Sequence, residues 1–277
     1  MDSGGLDHLL PHVTQAPDKA ALAWAIRFFS PQVAWHRLEV RGLDRIPRGP
    51  ALLVGNHNAG AAVIDELFLV QYYRERGFDE PIHVLAHDFF FETLRAGSLL
   101  SKIGVIPANR RYAEEVLRHG GKVLVYPGTD HDSLRPYTAR SKVRLHGHRG
   151  FARLAVDCGV PVVPVATAGA HEAMIILSQG KALARALGFP RLVRWHSFPV
   201  AVNLPWGLAV GPVAYFPYVP FPAKVTIEIG APIDTHALAS EAHRRADAVE
   251  QTYLRTESAL GDMLARLYAE RRLPIVG

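Results

Sequence analysis

A short apolar run, Leu52-Leu53-Val54-Gly55, ends in Asn56-His57-Asn58, and Asp65 follows His57 by eight residues with Ala59, Gly60, Ala61 and Ala62 between. A carboxylate that reaches an imidazole fixes the ring's tautomer and stabilises the imidazolium formed when it takes up a proton. Such a pair can act as a general base, and the small residues between would let the chain fold back tightly. The residues alone also allow a plainer arrangement, with His57 capping a helix and Asp65 exposed in its first turn. No Gly-x-Ser-x-Gly elbow accompanies the pair. The one cysteine, Cys158, falls in an apolar stretch, Ala155-Val156-Asp157-Cys158-Gly159, that reads as core. A His–Asp pair without a protein nucleophile suits attack by a substrate hydroxyl or by water.

Three more segments could carry chemistry. Gly104-Val105-Ile106-Pro107-Ala108-Asn109-Arg110 delivers an arginine from a strand end to a helix start, where guanidinium and backbone N–H groups together suit a phosphate. Val123-Leu124-Val125-Tyr126-Pro127-Gly128-Thr129 runs from a strand into a small-residue turn, and Val160-Pro161-Val162-Val163-Pro164-Val165 is a strand interrupted by prolines. Arg135, Arg140, Lys142, Arg144, His146, His148 and Arg149 form a basic stretch. It reads either as a solvated face or as a contact for anionic phosphates, a carrier protein or headgroups. It has little aromatic interleaving and the formal net charge is only +5, so no nucleic-acid partner is expected. His83 and His87 with Asp88, His131-Asp132 and His146-x-His148 lack the spacing of a ligand set, so no metal or other cofactor is expected.

The elements that must position these residues can be read from periodicity. The 277 residues are 49% hydrophobic and 21% charged, enough for a full core and unlike a disordered or fibrous chain. Strands are expected at Ala51–Val54, Ile82–Leu85, Ile103–Ile106, Val123–Tyr126, Val162–Val165 and Val225–Ile229. Helices are expected at Ile64–Arg76, Phe89–Leu100, Tyr112–Arg118 and Gly150–Asp157 and from His236 to Arg272. The last has Val249, Tyr253, Leu260, Leu264 and Leu267 as its inward face. This alternation predicts an α/β fold with a mainly parallel central sheet flanked by helices. Residues 1–36 read as an N-terminal amphipathic segment and 37–277 as the α/β domain.

Two stretches could touch a membrane. Ala20–Ser30 has Leu22, Ile26 and Phe29 at helical spacing, with Pro31 expected to stop it; it reads as a helix on the core or one lying in the bilayer interface. Phe198–Ala223 contains no Asp, Glu, Lys or Arg, but Pro199, Pro205, Pro212, Pro217, Pro220 and Pro222 forbid a spanning helix. It is expected to be an irregular apolar wall, either buried or facing lipid. The N-terminus lacks the basic and apolar regions of a signal peptide.

Taken in order, the four chemistry-bearing segments resemble the glycerolipid acyltransferase superfamily, which includes bacterial 1-acylglycerol-3-phosphate acyltransferases. Members carry Asn-His-x4-Asp, then Gly-x-x-Pro with a phosphate-binding Arg, then Pro-Glu-Gly-Thr, then a Val-Pro-x-x-Pro-Val block. The resemblance covers roughly residues 35 to 235. It departs in two places: seven residues separate His57 from Asp65 instead of four, and the third block, Pro127-Gly128-Thr129, lacks the Glu. Both departures look like a divergent, diacylglycerol-acyltransferase-like branch. So do Asp132-Ser133-Leu134-Arg135-Pro136, the run Arg144…Gly147…Arg149-Gly150-Phe151, and Gly169-Ala170-His171-Glu172.

The resemblance implies transfer of a fatty acyl group from a thioester, acyl-CoA or acyl carrier protein, to a hydroxyl of a lysophospholipid or a neutral glycerolipid. His57 would be the base and Asp65 its orienting acid; Asn56, Arg110, Gly128 and Thr129 would bind substrate, Arg110 through a phosphate. The thioester is a co-substrate, and no cofactor is implied. The protein would be cytoplasmic and peripheral on the inner face of the membrane. The other readings are a lipid-binding protein of this fold that has lost catalysis, and a thioester or ester hydrolase.

Overall fold

The computed structural model describes residues 16–58, 63–87, 91, 97–128, 134–143, 145–188, 197–214 and 219–277. Among them, seven strands form one sheet. In chain order these are β1 (Glu39–Arg41), β2 (Ala51–Gly55), β3 (Ile82–Ala86), β4 (Val105–Pro107), β5 (Lys122–Val125), β6 (Val162–Ala168) and β10 (Thr226–Ile229). Their order across the sheet is β1-β10-β6-β2-β5-β3-β4. Strands β6, β2, β5, β3 and β4 run parallel, whereas β10 pairs antiparallel with β6 and parallel with β1. The fold is α/β with a mainly parallel central sheet, as the alternation of elements predicts.

Successive side chains of a strand face opposite sides, and here both sides are covered. In β2, Leu52 and Val54 enter the core under α4 (Arg110–Arg118), α5 (Gly150–Cys158) and α9 (Arg245–Glu270). Ala51 and Leu53 enter the opposite core with α1 (Lys19–Trp35) and α2 (Phe68–Arg76). That is why the central strands read as continuous apolar runs and not as alternating ones. Each fully buried Val or Leu contributes about 1.5–3 kcal/mol, so the central strands form a stiff platform. The inward face expected of α9 is the buried one: Val249, Tyr253, Leu260, Leu264 and Leu267 all pack against the sheet.

Several boundaries differ from the sequence expectation. Helix α2 starts at Phe68, not Ile64, because Ile64 and Asp65 belong to a turn that leads back to His57. Helix α1 runs through Pro31 to Trp35, carrying Leu22, Ile26, Phe29 and Val33 onto the core. A helix, α3, occupies Gly97–Lys102, while most of the earlier part of the expected Phe89–Leu100 helix lies outside the described residues. The C-terminal helical stretch is two helices, α8 (Thr235–Glu241) and α9, with Asp234 capping α8 by accepting from the His236 and Ala237 N–H groups.

Phe198–Ala223 is not merely irregular. It contains a hairpin, β8 (Val200–Asn203) and β9 (Gly207–Val210), that pairs with β7 (Ile175–Ser178) in a second sheet. The prolines bracket these strands: Pro199 precedes β8, Pro205 lies in the turn and Pro212 follows β9. Two short helices, α6 (Ala170–Ala173) and α7 (Lys181–Ala186), flank β7.

Candidate active site

Strand β2 lies between β5 and β6, which the chain visits after first crossing to β3 and β4. Open parallel sheets bind ligands beyond the carboxyl ends of the strands at such a change of direction. Residues 56–58, 126–128 and 169–172 leave β2, β5 and β6 at this end.

Asn56 takes the first step beyond β2. Its side-chain Nδ2 donates to the Thr167 carbonyl at 3.0 Å, and its Oδ1 accepts from the Thr167 N–H at 2.8 Å. The carboxamide thus mimics a peptide unit and continues the β2–β6 pairing by one rung. Both its donor and its acceptor are committed to the neighbouring strand, so Asn56 positions the loop.

His57 comes next, partly exposed, with Nδ1 3.2 Å from Asp65 Oδ2. Asp65 is fully buried, which removes the arrangement with an exposed first-turn carboxylate. Asp65 accepts from the Asn58 backbone N–H at 2.7 Å and, at Oδ1, from the Asn58 side chain at 3.0 Å. Asn58 Oδ1 in turn accepts from Arg135 at 3.1 Å. Guanidinium, amide, carboxylate and imidazole therefore form one connected series, and a buried hydrogen-bonded network holds its members in place. An ionised carboxylate accepts only, so the ring proton assigned by this network is on Nδ1 and the basic nitrogen is Nε2.

Tyr126, at the end of β5, stacks on the His57 ring (centroids 5.3 Å apart, planes 27° apart) and donates its hydroxyl to the Asp65 carbonyl at 2.9 Å. Position 55 must be glycine for this contact: a Cβ there would lie 2.3 Å from the Tyr126 ring. Glu66, beside Asp65, is half-buried; burial, and then the Asp65 charge, push its carboxyl up to about 7. Burial likewise raises the Tyr126 phenol well above its ordinary value, keeping it a neutral donor.

The structure thus brings His57, Asp65 and Asn56 together. Gly128 is buried in the turn after β5 at φ 132°, and Thr129 lies outside the described residues. Arg110 starts α4, but its guanidinium is ion-paired with Asp157 at 2.5 Å and with Glu114 at 3.6 Å; Arg245 also binds Asp157. The basic stretch divides: Arg135 is buried, Arg140 lies over the Tyr137 ring at 4.1 Å, and Arg149 pairs with Glu250. Arg144 is outside the described residues. Sequence spacing passed over Asn58, Tyr126 and Thr167. Their signal was only adjacency to a motif or to a strand end.

Comparison with known proteins bears on the family and the fold. The acyltransferase family model matches residues 37–168. An uncharacterized protein of Mycobacterium tuberculosis is 32% identical, covering 98% of this chain and 70% of its own length. The human "DGAT1/2-independent enzyme synthesizing storage lipids" is 28% identical, covering 84% of this chain and 66% of its own. The crystal structure of the 1-acyl-sn-glycerophosphate acyltransferase PlsC of Thermotoga maritima shares the fold at a TM-score of 0.50 and 16% identity, over 87% of this chain and 79% of that one. The chain belongs to the glycerolipid acyltransferase superfamily. It is an O-acyltransferase of the glycerolipid type.

Proposed function

We propose that this acyltransferase moves a fatty acyl group from a thioester, acyl-CoA or acyl carrier protein, to a glycerolipid hydroxyl, with His57 as general base and Asp65 as its orienting acid. The observation that carries this reading is the 3.2 Å contact between His57 Nδ1 and the buried Asp65 carboxylate. Nε2 takes the proton of the acceptor hydroxyl as its oxygen attacks the thioester carbonyl. The tetrahedral oxyanion then collapses, the C–S bond breaks, and the imidazolium returns the proton to the departing sulfur. Asp65 holds the ring in one tautomer and stabilises its charged form; base catalysis of this kind is worth about 10²–10⁴-fold. The connected series from Arg135 to His57 favours a working base over a fold that has lost catalysis.

The acceptor is a lysophospholipid or a neutral glycerolipid. Phosphate binding at Arg110 requires the anion to exchange with Asp157 and Glu114; a neutral acceptor needs no such exchange. Gly128 and Thr129 would form the acceptor-binding turn. Contact with the inner face of the membrane from the cytoplasm is supported by the β8–β9 hairpin, where Trp206 is 51% and Leu208 65% exposed beside exposed Leu204 and Val210. On α1, exposed Trp24 and Phe28 stack at 5.3 Å. No described helix is long and apolar enough to cross a membrane.

The test is a panel of glycerolipid alcohols with labelled acyl-CoA or acyl carrier protein, run with and without acceptor on the full chain and on H57A. Acyl ester formed by the wild-type protein and lost in H57A is expected. Thioester loss independent of acceptor would make the protein a hydrolase, and undiminished transfer by H57A would remove His57 from the mechanism. Sedimentation with anionic liposomes checks the membrane contact: W206S/L208S is expected to bind less.

A further inference from the structure

A second imidazole stands at the same end of the sheet and has no role in the steps above. His171 lies three residues beyond β6, the strand next to β2. The turn that places it needs Gly169, at φ 95°, where a Cβ would lie 2.1 Å from the Lys224 carbonyl oxygen. The His171 ring is fully buried, and neither ring nitrogen has a hydrogen-bond partner among the described residues. Its neighbour Glu172, also buried, accepts at Oε2 from Arg271 and the Ile275 N–H and has Arg140 3.9 Å from Oε1. The same short helix therefore satisfies one buried polar side chain and leaves the next unsatisfied. Buried polar groups are normally paired, and an exception calls for a cause.

The surrounding charges limit what the ring can do. Burial first, then the neighbouring Arg135, His57 and Arg140, hold its pKa well below the ordinary histidine value. A ring in that field is a poor proton acceptor, so it is no alternative base. It is neutral and carries one N–H, and the cations that repel a proton attract a developing negative charge.

We propose that His171 donates its ring N–H to the oxyanion formed at the thioester carbonyl. This rests on the acyl-transfer reading above. As the acceptor oxygen bonds to the carbonyl carbon, the carbonyl π pair moves onto oxygen, and this oxygen supplies the partner that His171 lacks in the resting protein. When the C–S bond breaks, the pair returns and the proton carried by His57 goes to sulfur. His171 keeps its own proton throughout.

The experiment compares H171L, close in volume and apolar, with H171Q, which keeps an N–H donor. Both are assayed as the full chain for kcat and KM with labelled acyl-CoA and the best acceptor of the panel, and both are melted. Removing one such donor typically costs about 10²–10³-fold. H171L is expected to lose that much kcat with little change in KM and with a Tm equal to or above wild type, because an unpaired buried group has gone. H171Q is expected to recover a large part of the lost kcat. Near-wild-type kcat in H171L, a loss confined to KM, or H171Q no better than a folded H171L overturns the proposal. Should H171L not fold, H171Q decides: substantial kcat at unchanged KM supports the role, and none overturns it. H57A runs in parallel. An inactive H57A with a fully active H171L sinks the oxyanion role alone, whereas an active H57A sinks the acyl-transfer reading beneath it.

Discussion

The two ends of the parallel sheet carry similar polar residues and treat them in opposite ways. At the amino end of β6, where Gly230 and Ile233 pair with Pro164 and Val162, an open groove of about 500 Å³ runs between β10, α8 and α9. Its charges pair at the rim, where Glu228, itself largely buried, reaches half-exposed partners: Arg266 at 2.9 Å and Arg45 at 3.5 Å. At the carboxyl end the polar side chains are buried, and most bond to one another across β2, β6 and the residue 63–67 turn. Exposed ion pairs contribute about 0–1 kcal/mol. Buried polar groups cost free energy unless fully bonded, so a dense buried network is not the cheapest way to stabilise a fold. The open groove is thus not the better candidate for chemistry; the end with the connected side chains is.

That contrast can be broken. The largest effect is expected from D65N, which keeps the volume but no longer enforces the Nδ1 proton. Loss of the corresponding carboxylate in a hydrolase triad costs about 10⁴-fold, so kcat should fall by about that order with a modest change in Tm; activity within tenfold of wild type would uncouple the pair. Next is N58A, which strips Asp65 Oδ1 of its side-chain donor, leaves the backbone N–H on Oδ2, and deprives Arg135 of its Asn58 contact. A buried partner left unsatisfied costs about 1–3 kcal/mol, measurable as a lowered denaturant midpoint, with kcat falling too.

A smaller effect is expected from E66Q, and it depends on pH. The Glu66 carboxyl rises from 4.5 to about 7 on folding. The native state therefore holds an extra proton between those values, and stability falls as pH rises through 7. E66Q should match wild type near pH 5 and melt above it near pH 8, by about 2–4 °C per kcal/mol. The smallest effect is expected at the other end: R266A should cost at most about 1 kcal/mol and leave kcat unchanged. A large loss of activity there would erase the contrast between the two ends.

Much of this was legible in the residues. Buried strands announce themselves as apolar runs, and β2, β5 and β6 appear in the sequence within one to three residues of their observed ends. His57 and Asp65 were visible as one possible pair beside a plainer arrangement, and it was the resemblance of four ordered segments that singled them out. What the sequence could not show depends on contacts between distant segments. Arg110 looks like a ligand for an anion, but α5 brings Asp157 to it while its own helix supplies Glu114. Asn56 looks like a substrate contact, but a partner 111 residues away, Thr167, takes up its amide. The hairpin β8–β9 was hidden by its prolines, which count against a strand by composition and in fact mark where each strand stops.

The side-chain rung between Asn56 and Thr167 has one more consequence. It indexes the reactive ring to β6 on one side of the loop, while Asp65 grips Asn58 from the other. With both flanks clamped, the length of chain between His57 and Asp65 no longer determines where the imidazole sits. Insertions there can accumulate without displacing the ring, so seven intervening residues can bring His57 to Asp65 where the resembled motif has four.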